Sequence, residues 1–433
     1  MVDYVREGPR AILTGPYIPN NHELFSLLGW ATSSAIGESE VALRLWSAIP
    51  FVVGVAVVTA WLHMRTGPVS GLLFLFLATV SPLLLDISRM ARGYGLAFLA
   101  MSVLIVGALE LERSGRGLAL AGFLAAGLVG SLTLPHFAIA FVATALALLV
   151  RHDLRRRVAI GTGLAMLAIA AWYAPHVDDI AVSTQGEYGQ QIQTAWLVTA
   201  PIDQTLVPAV TLLDDAFLQP SPASLLWAVA LAALIASSPL LRHLQSALVL
   251  CSGVLATVLA FWVTGTYVVP RFLSFLLVPL FVLVATGSAS ILTRLSDGRV
   301  GVRTVVVAVT FGAVAFLSVP LFVDISRLPR DSTREAALSI NDVVPAATPV
   351  YAHVPYPLDL AFHLGRPVTG VWSAAEANVV CSSDRLAVYV AQPFLVPQAD
   401  VPCTRREKAR HERFEQYARG QEIDVWIIPP AES

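Results

Sequence analysis

The chain has 433 residues, of which 56% are Ala, Val, Ile, Leu, Met, Phe, Trp, Tyr or Cys and only 13% are charged, against about 25% charged in soluble domains. A soluble protein of this length needs a charged shell, and 28 Lys and Arg with 30 Asp and Glu cannot supply one, so the chain reads as an integral membrane protein. Its net charge of -2, with no basic stripe to neutralise phosphates along a strand, excludes nucleic-acid binding.

In chain order, residues 1–40 contain neither a signal peptide nor a span, because a basic start followed by an apolar run is missing. Within them Asn20-Asn21-His22 is a polar start, followed by Phe25, Leu27, Leu28, Trp30 and Ala31, with Gly37 as the stop. This pattern predicts a short helix along the outer interface, with Trp30 as its anchor. Apolar runs of about 20 residues then predict about ten transmembrane helices. They fall at 41–62, 71–85, 94–109, 117–133, 137–150, 158–174, 225–241, 244–263, 272–292 and 304–323. The two runs flanking Pro135-His136 also read as one broken helix.

After residue 323 the composition becomes mixed. Helices are predicted at 333–342, 358–364 and 405–417 and strands at 349–354, 367–371, 386–390 and 425–428. Such alternation suggests a small α/β domain over 324–433. The predicted organisation is thus an extracytoplasmic loop with an interfacial helix at 1–40, a transmembrane domain at 41–323 with a long outer loop at 175–223, and an extracytoplasmic α/β domain.

Orientation follows from arginines in the connections. Arg65, Arg113, Arg116, Arg151, Arg155, Arg156, Arg157, Arg242, Arg294, Arg299 and Arg303 follow odd-numbered spans. They outnumber Arg6, Arg10, Arg44, Arg89, Arg92 and Arg271 on the other side, which puts both chain ends outside. The loop 175–223 agrees, having Asp178, Asp179, Glu187, Asp203, Asp214 and Asp215 but no Lys or Arg. An outside N-terminus without its own span leads to the expectation of a first span upstream of Met1. Cys381 and Cys403 both fall in the outer domain, where a disulfide is allowed, whereas Cys251 lies in a span and reads as a packing residue.

Ionisable groups cluster at the outer ends of spans. Asp86, Arg89 and Arg92 lie in the connection between the second and third spans, and Arg271 follows Tyr267-Val268-Val269-Pro270 at another outer helix start. Brought together, the guanidiniums would form a fork suited to a phosphate at headgroup depth, with Arg92 beside Tyr94 and Arg271 after Pro270 the preferred pair. The plainer alternative is that each arginine snorkels to lipid headgroups. His136 reads either as a hydrogen-bonded packing residue or as a ligand. His22 with Glu23 offers a base or metal ligand on the same side, or is an ordinary helix-start cluster. Glu187 and Tyr188 lie in the acidic outer loop. No HExxH, paired CxxC or Walker pattern is present.

Several motifs occur in a familiar order: Asn21-His22-Glu23-Leu24-Phe25-Ser26-Leu27-Leu28, Ser39-Glu40-Val41-Ala42-Leu43-Arg44-Leu45-Trp46-Ser47-Ala48, Ser81-Pro82 leading to Ala91-Arg92-Gly93-Tyr94, Pro135-His136-Phe137, and the stretch from Tyr267 to Pro279. Together they resemble the polytopic GT-C glycosyltransferases, in the subgroup of the protein O-mannosyltransferases and the aminoarabinose transferase of lipid A. The resemblance implies a GT-C-like all-α transmembrane domain in the plasma (inner) membrane, with its active face and C-terminal domain extracytoplasmic. It also implies transfer of a sugar from a polyprenyl-phosphate donor to a glycan, lipid or protein acceptor. An outer carboxylate would take the acceptor's proton, and arginines would stabilise the departing phosphate.

The residues this assigns are Asp3 or Asp86 as base, Arg89, Arg92 and Arg271 for the donor phosphate, and His22, Glu23, Tyr94, His136, Tyr267 and Glu187 for substrate contacts. No metal ligands are assigned, though a divalent metal is compatible with such a site. Two departures stand out: the family's His-Pro-Pro-Leu is here His22-Glu23-Leu24-Phe25, and no Asp-Glu pair occurs in 1–20, where Asp3 is the only Asp. The base is therefore expected upstream of Met1, or at Asp3 or Asp86, or the chain is inactive. A non-catalytic polyprenyl-phosphate-binding or scaffold protein is the alternative. A lipid-linked-sugar transporter is a further one, but it predicts internal repeats and mid-membrane charges that the sequence lacks.

Overall fold

The computed structural model describes residues 8–15, 22–178, 232–264, 270–295, 332–353, 360–361, 364–371, 374–381, 385–391, 410–414 and 423–429. The chain divides into two compact units, one running to Ala315 and one from Phe316 to Ser433. The first is helical. Short α1 (Pro9–Thr14) precedes α2 (Glu23–Ile36), α3 (Glu40–Thr66), α4 (Pro68–Val80), α5 (Pro82–Arg89), α6 (Tyr94–Ser114), α7 (Gly117–Thr133), α8 (Phe137–Leu148) and α9 (His152–Tyr173). Then come α10 (Leu244–Thr264), a 3-10 turn (Pro270–Leu276) and α11 (Leu277–Leu295).

Among the described residues, five helices are long and apolar enough to cross a membrane, or six if the bent pair α4 and α5 makes one span. Helices α7 and α8 are shorter and apolar. The inner faces of α4, α6, α7, α8 and α11 pack Phe74, Phe98, Phe123, Phe137, Phe141 and Phe281 into one buried core. The outer faces are apolar too: Val52, Leu72, Leu164, Leu167, Leu255 and Leu259 are exposed, as lipid-facing side chains would be. The predicted span 304–323, and 225–231 of another, lie outside the described residues.

Three predicted elements are corrected. The span 71–85 is interrupted at Ser81, whose Oγ accepts from the Leu84 N–H at 3.4 Å. With Pro82 opening α5, a second helix begins there, turned by 67° from α4. The span 225–241 ends before Ser238, which caps a 3-10 turn (Pro239–Arg242) and bonds Thr286 at 2.7 Å. The expected helix start at Asn20-Asn21-His22 is right in place but not in mechanism. His22 occupies the cap position of α2 with no side-chain capping bond, and its ring is used elsewhere. Gly37 does end the helix, at φ 90°.

Helices α3 and α6 run in the same direction. Ser47 near the start of α3 touches Gly95 near the start of α6, and Trp61 and Arg65 near the end of α3 bond Glu110 near the end of α6. A Cβ on Gly95 would lie 2.0 Å from the Ser47 carbonyl oxygen, so only glycine permits this approach. The helix ends therefore collect into two sets. One holds Ser47, Tyr94, Thr133, His136 and Phe272; the other holds Arg65, Glu110, Gly115, Ala147 and Leu154, with Gln245 Nε2 donating to the Ala147 carbonyl at 2.7 Å.

The second unit contains α12 (Ser332–Val343), β1 (Val350–His353), β2 (Val368–Gly370), α13 (Ala374–Cys381), β3 (Ala387–Ala391), β4 (Arg410–Phe414) and β5 (Ile423–Ile428). The sheet order is β2-β1-β3-β5-β4, with β1 parallel to β2 and β3, and β5 antiparallel to β3 and β4. Ala336, Ala337 and Ile340 of α12 pack on one face with Val388, Val390 and Val425, while Ala377 and Val380 of α13 pack on the other with Tyr389 and Trp426. Within the expected helix at 405–417, Arg410–Phe414 is instead the edge strand β4, paired with β5, and the rest lies outside the described residues. His411 and Arg413 bond buried Asp424 at 2.9 and 2.8 Å, and Glu412, on the opposite face, accepts from Ser339 Oγ at 2.7 Å. Cys381 is disulfide-bonded and Cys251 is free; Cys403 lies outside the described residues.

Candidate functional site

The first end of the bundle brings together residues from α2, α3, α5, α6, α7, the α7–α8 connection and the 3-10 turn. The connection after α5 delivers Arg92, and Ser47 of α3 holds that connection by donating to the Arg92 carbonyl at 2.7 Å. Gly93 lets it pass close to its neighbours, since a Cβ there would lie 2.4 Å from Thr133 Cγ2 and 3.1 Å from His22 Cβ. Tyr94 follows, fully buried. The 3-10 turn delivers Arg271 from the far side. The guanidiniums of Arg92 and Arg271 both act on the Tyr94 hydroxyl, and those of Arg89 and Arg271 act on the Asp86 carboxylate. The sequence-predicted pair Arg92 and Arg271 thus converges on one tyrosine.

Buried donors and acceptors remain open at this point. Arg271 Nε and the Tyr94 hydroxyl have no well-formed hydrogen bond among the described residues, which is costly for groups out of water. Phe272 lies under the Arg271 guanidinium, 5.9 Å from its ring centroid. Both histidines of the site are neutral by environment. Nδ1 of His22 faces the Thr133 carbonyl at 3.3 Å and its ring meets Tyr94 edge-on, 5.0 Å between centroids. Burial, with Arg92 nearby, pulls its pKa down to about 3. Nε2 of His136 lies 2.9 Å from the Phe272 carbonyl, and burial lowers its pKa as well.

Glu23 turns away from this cluster. Its Oε2 accepts from Trp172 Nε1 at 2.5 Å, and Oε1 lies 3.0 Å from His176 Nε2, an ion-pair distance without hydrogen-bond alignment. Burial pushes the Glu23 carboxyl up, opposed by His176 and the Trp172 N–H. The group clamps the start of α2 to the end of α9, and Tyr173 OH adds a bond to the Ser131 carbonyl at 2.9 Å. Trp172, Tyr173 and His176 were not singled out in the sequence; an aromatic pair at an apolar helix end is the one signal they leave. Among the described residues no group of three His, Cys, Asp or Glu side chains converges as a metal site. Asp3, Tyr267 and Glu187 lie outside the described residues.

No family model and no curated protein matches the chain. Solved structures do. The crystal structure of ArnT from Cupriavidus metallidurans in the apo state is 13% identical with a TM-score of 0.61, covering 98% of this chain and 92% of that one. The same protein bound to undecaprenyl phosphate is 14% identical with a TM-score of 0.55, at the same coverage. At such identity the likeness is one of fold, and it spans both units. The resemblance drawn from the motifs is therefore met at the level of architecture: this chain has a polytopic, ArnT-like fold.

Proposed function

We propose that this chain is a membrane glycosyltransferase that moves a sugar from a polyprenyl-phosphate-linked donor to an acceptor at the extracytoplasmic face of the inner membrane. The observation that carries the reading is the convergence of Arg92 and Arg271 on buried Tyr94, with Arg271 Nε left as an open buried donor. Two guanidiniums on one buried hydroxyl, with an open buried donor on Arg271, suit a phosphate on a lipid chain at the end of a lipid-embedded bundle. That the same fold holds undecaprenyl phosphate in ArnT supports this choice of anion.

In the proposed reaction the acceptor oxygen attacks the anomeric carbon, and the bond from that carbon to the phosphate oxygen breaks, its electron pair leaving with the phosphate. Arg92 and Arg271 take up the charge that develops there. Asp86, which shares Arg271, accepts the acceptor's proton. The arginine-rich opposite end faces the cytoplasm on this reading, and about ten spans carry an extracytoplasmic α/β domain at 324–433. The acidic loop 175–223 then lies on the acceptor side.

The test uses the full chain in lipid nanodiscs. Undecaprenyl phosphate binding should weaken about 100-fold in Arg92→Ala and in Arg271→Ala, as expected when one partner of a buried charged contact is removed. Transfer from a polyprenyl-phosphate sugar should fall in parallel, and Asp86→Asn should abolish transfer while sparing binding. Wild-type affinity in both arginine variants would sink the phosphate site; wild-type binding with no transfer to any acceptor class would favour the non-catalytic reading.

A further inference from the structure

Arg271 sits in a turn rather than on a regular helix, so something must set its direction. Residues Pro270–Leu276 are 3-10, a geometry with weaker backbone bonding than the α-helix that follows. Two side chains grip the peptides just after Arg271. Ser274 Oγ donates to the Arg271 carbonyl at 2.7 Å, and His136 Nε2 meets the Phe272 carbonyl at 2.9 Å. A carbonyl only accepts, so the hydrogen of His136 is on Nε2.

His136 comes from the connection between α7 and α8, 136 residues away in sequence. It occupies the cap position of α8 without capping it. Its ring is instead set among Phe261, Phe272 and Phe275, at centroid distances of 5.6, 6.1 and 5.7 Å. The aromatic cage fixes the ring plane, the ring plane aims Nε2, and Nε2 holds the Phe272–Leu273 peptide, next along from the 271–272 peptide that Ser274 holds and that flanks the Arg271 Cα. Phe272, the residue so held, also bears the Arg271 guanidinium on its ring and lies 6.1 Å from Tyr94.

We infer that His136 is a positioning residue for Arg271: it acts on the lipid phosphate through the Phe272 carbonyl and not by touching substrate. This rests on the reading of Arg92 and Arg271 as phosphate ligands. His136 is consequently a determinant of donor affinity whose whole effect passes through one arginine.

The experiment measures undecaprenyl phosphate affinity for the full chain in nanodiscs. Loss of the hydrogen bond in His136→Ala should weaken binding about 10-fold. His136→Gln, whose amide nitrogen reaches where Nε2 sits, should recover to within about threefold of wild type, while the shorter His136→Asn should not. The double variant His136→Ala/Arg271→Ala should bind no more weakly than Arg271→Ala alone. A His136→Ala variant with wild-type affinity, or one whose 10-fold loss adds in full to that of Arg271→Ala, overturns the inference. If His136→Ala does not fold, equal affinities of the Gln and Asn variants overturn it. Wild-type affinity in Arg92→Ala and Arg271→Ala is the separate result that removes the phosphate site itself, and the positioning role falls with it.

Discussion

The two ends of the helical bundle use the same residue type in opposite ways. At the end holding Glu110, Arg65 makes a bidentate pair with that carboxylate at 2.7 and 2.8 Å, and Trp61 Nε1 adds a third bond at 2.9 Å. Arg151 is held likewise by Asp153, and Arg155 Nε donates to the Leu149 carbonyl at the close of α8. These cations are matched by the protein's own acceptors. At the end holding Tyr94, Arg92 and Arg271 meet a phenol, while Arg89 and Arg271 share one carboxylate, Asp86. Arginine at a membrane boundary is structural where the fold supplies its acceptors; at the Tyr94 end Arg271 Nε keeps an open buried donor, which the proposed function fills with an anion.

The contrast can be broken most severely at its narrowest contact. Gly95→Leu drives a side chain into the Ser47 carbonyl, so α3 and α6 must separate at the Tyr94 end; a loss of about 3 kcal/mol or more is expected in detergent unfolding, with phosphate binding lost alongside. Next comes Glu23→Ala, which strands the Trp172 N–H in the interior and removes the carboxylate facing His176. It should cost about 3 kcal/mol, and Glu23→Gln should cost less because an amide oxygen still accepts from Trp172.

A pH titration sharpens the comparison. The His22 ring has a folded pKa of about 3 against 6.5 when free, so above pH 6.5 neither state takes the proton and the stability is intact. Below that the unfolded chain binds a proton the folded one refuses, and stability falls by up to about 1.4 kcal/mol per pH unit. Thermal unfolding between pH 6.5 and 4.5 should show this slope, and His22→Gln should flatten it; an unchanged slope would mean the ring is not held neutral. The smallest effect belongs to the opposite end. Arg65→Ala exposes a partly solvated pair and should cost under about 1 kcal/mol, with undecaprenyl phosphate affinity unchanged.

Part of the residue cluster at the Tyr94 end was legible in the chain. Arg92 and Arg271 stand out because a guanidinium beside long apolar runs is conspicuous, and Gly37 was readable as the stop of α2 because a helix end of this kind favours glycine. The break between α4 and α5 was written in Ser81-Pro82, yet the apolar run from Gly71 to Leu85 is continuous in hydropathy and masks it. The strand β4 was hidden for another reason. Arg410 to Phe414 lacks any apolar alternation, and its pairing depends on β5 and on buried Asp424.

Composition and hydropathy are sums over local residues, so they were enough to establish a membrane protein with most of its long helices and to flag the charges at their ends. The partners of those charges are another matter. Glu23 finds Trp172 and His176 across 149 residues or more, and His136 and His22 bond the backbone carbonyls of Phe272 and Thr133. A carbonyl is present at every residue and leaves no mark in the sequence. Which one a histidine meets is set by how helices pack, and that packing brings arginines scattered in sequence to one end of the bundle.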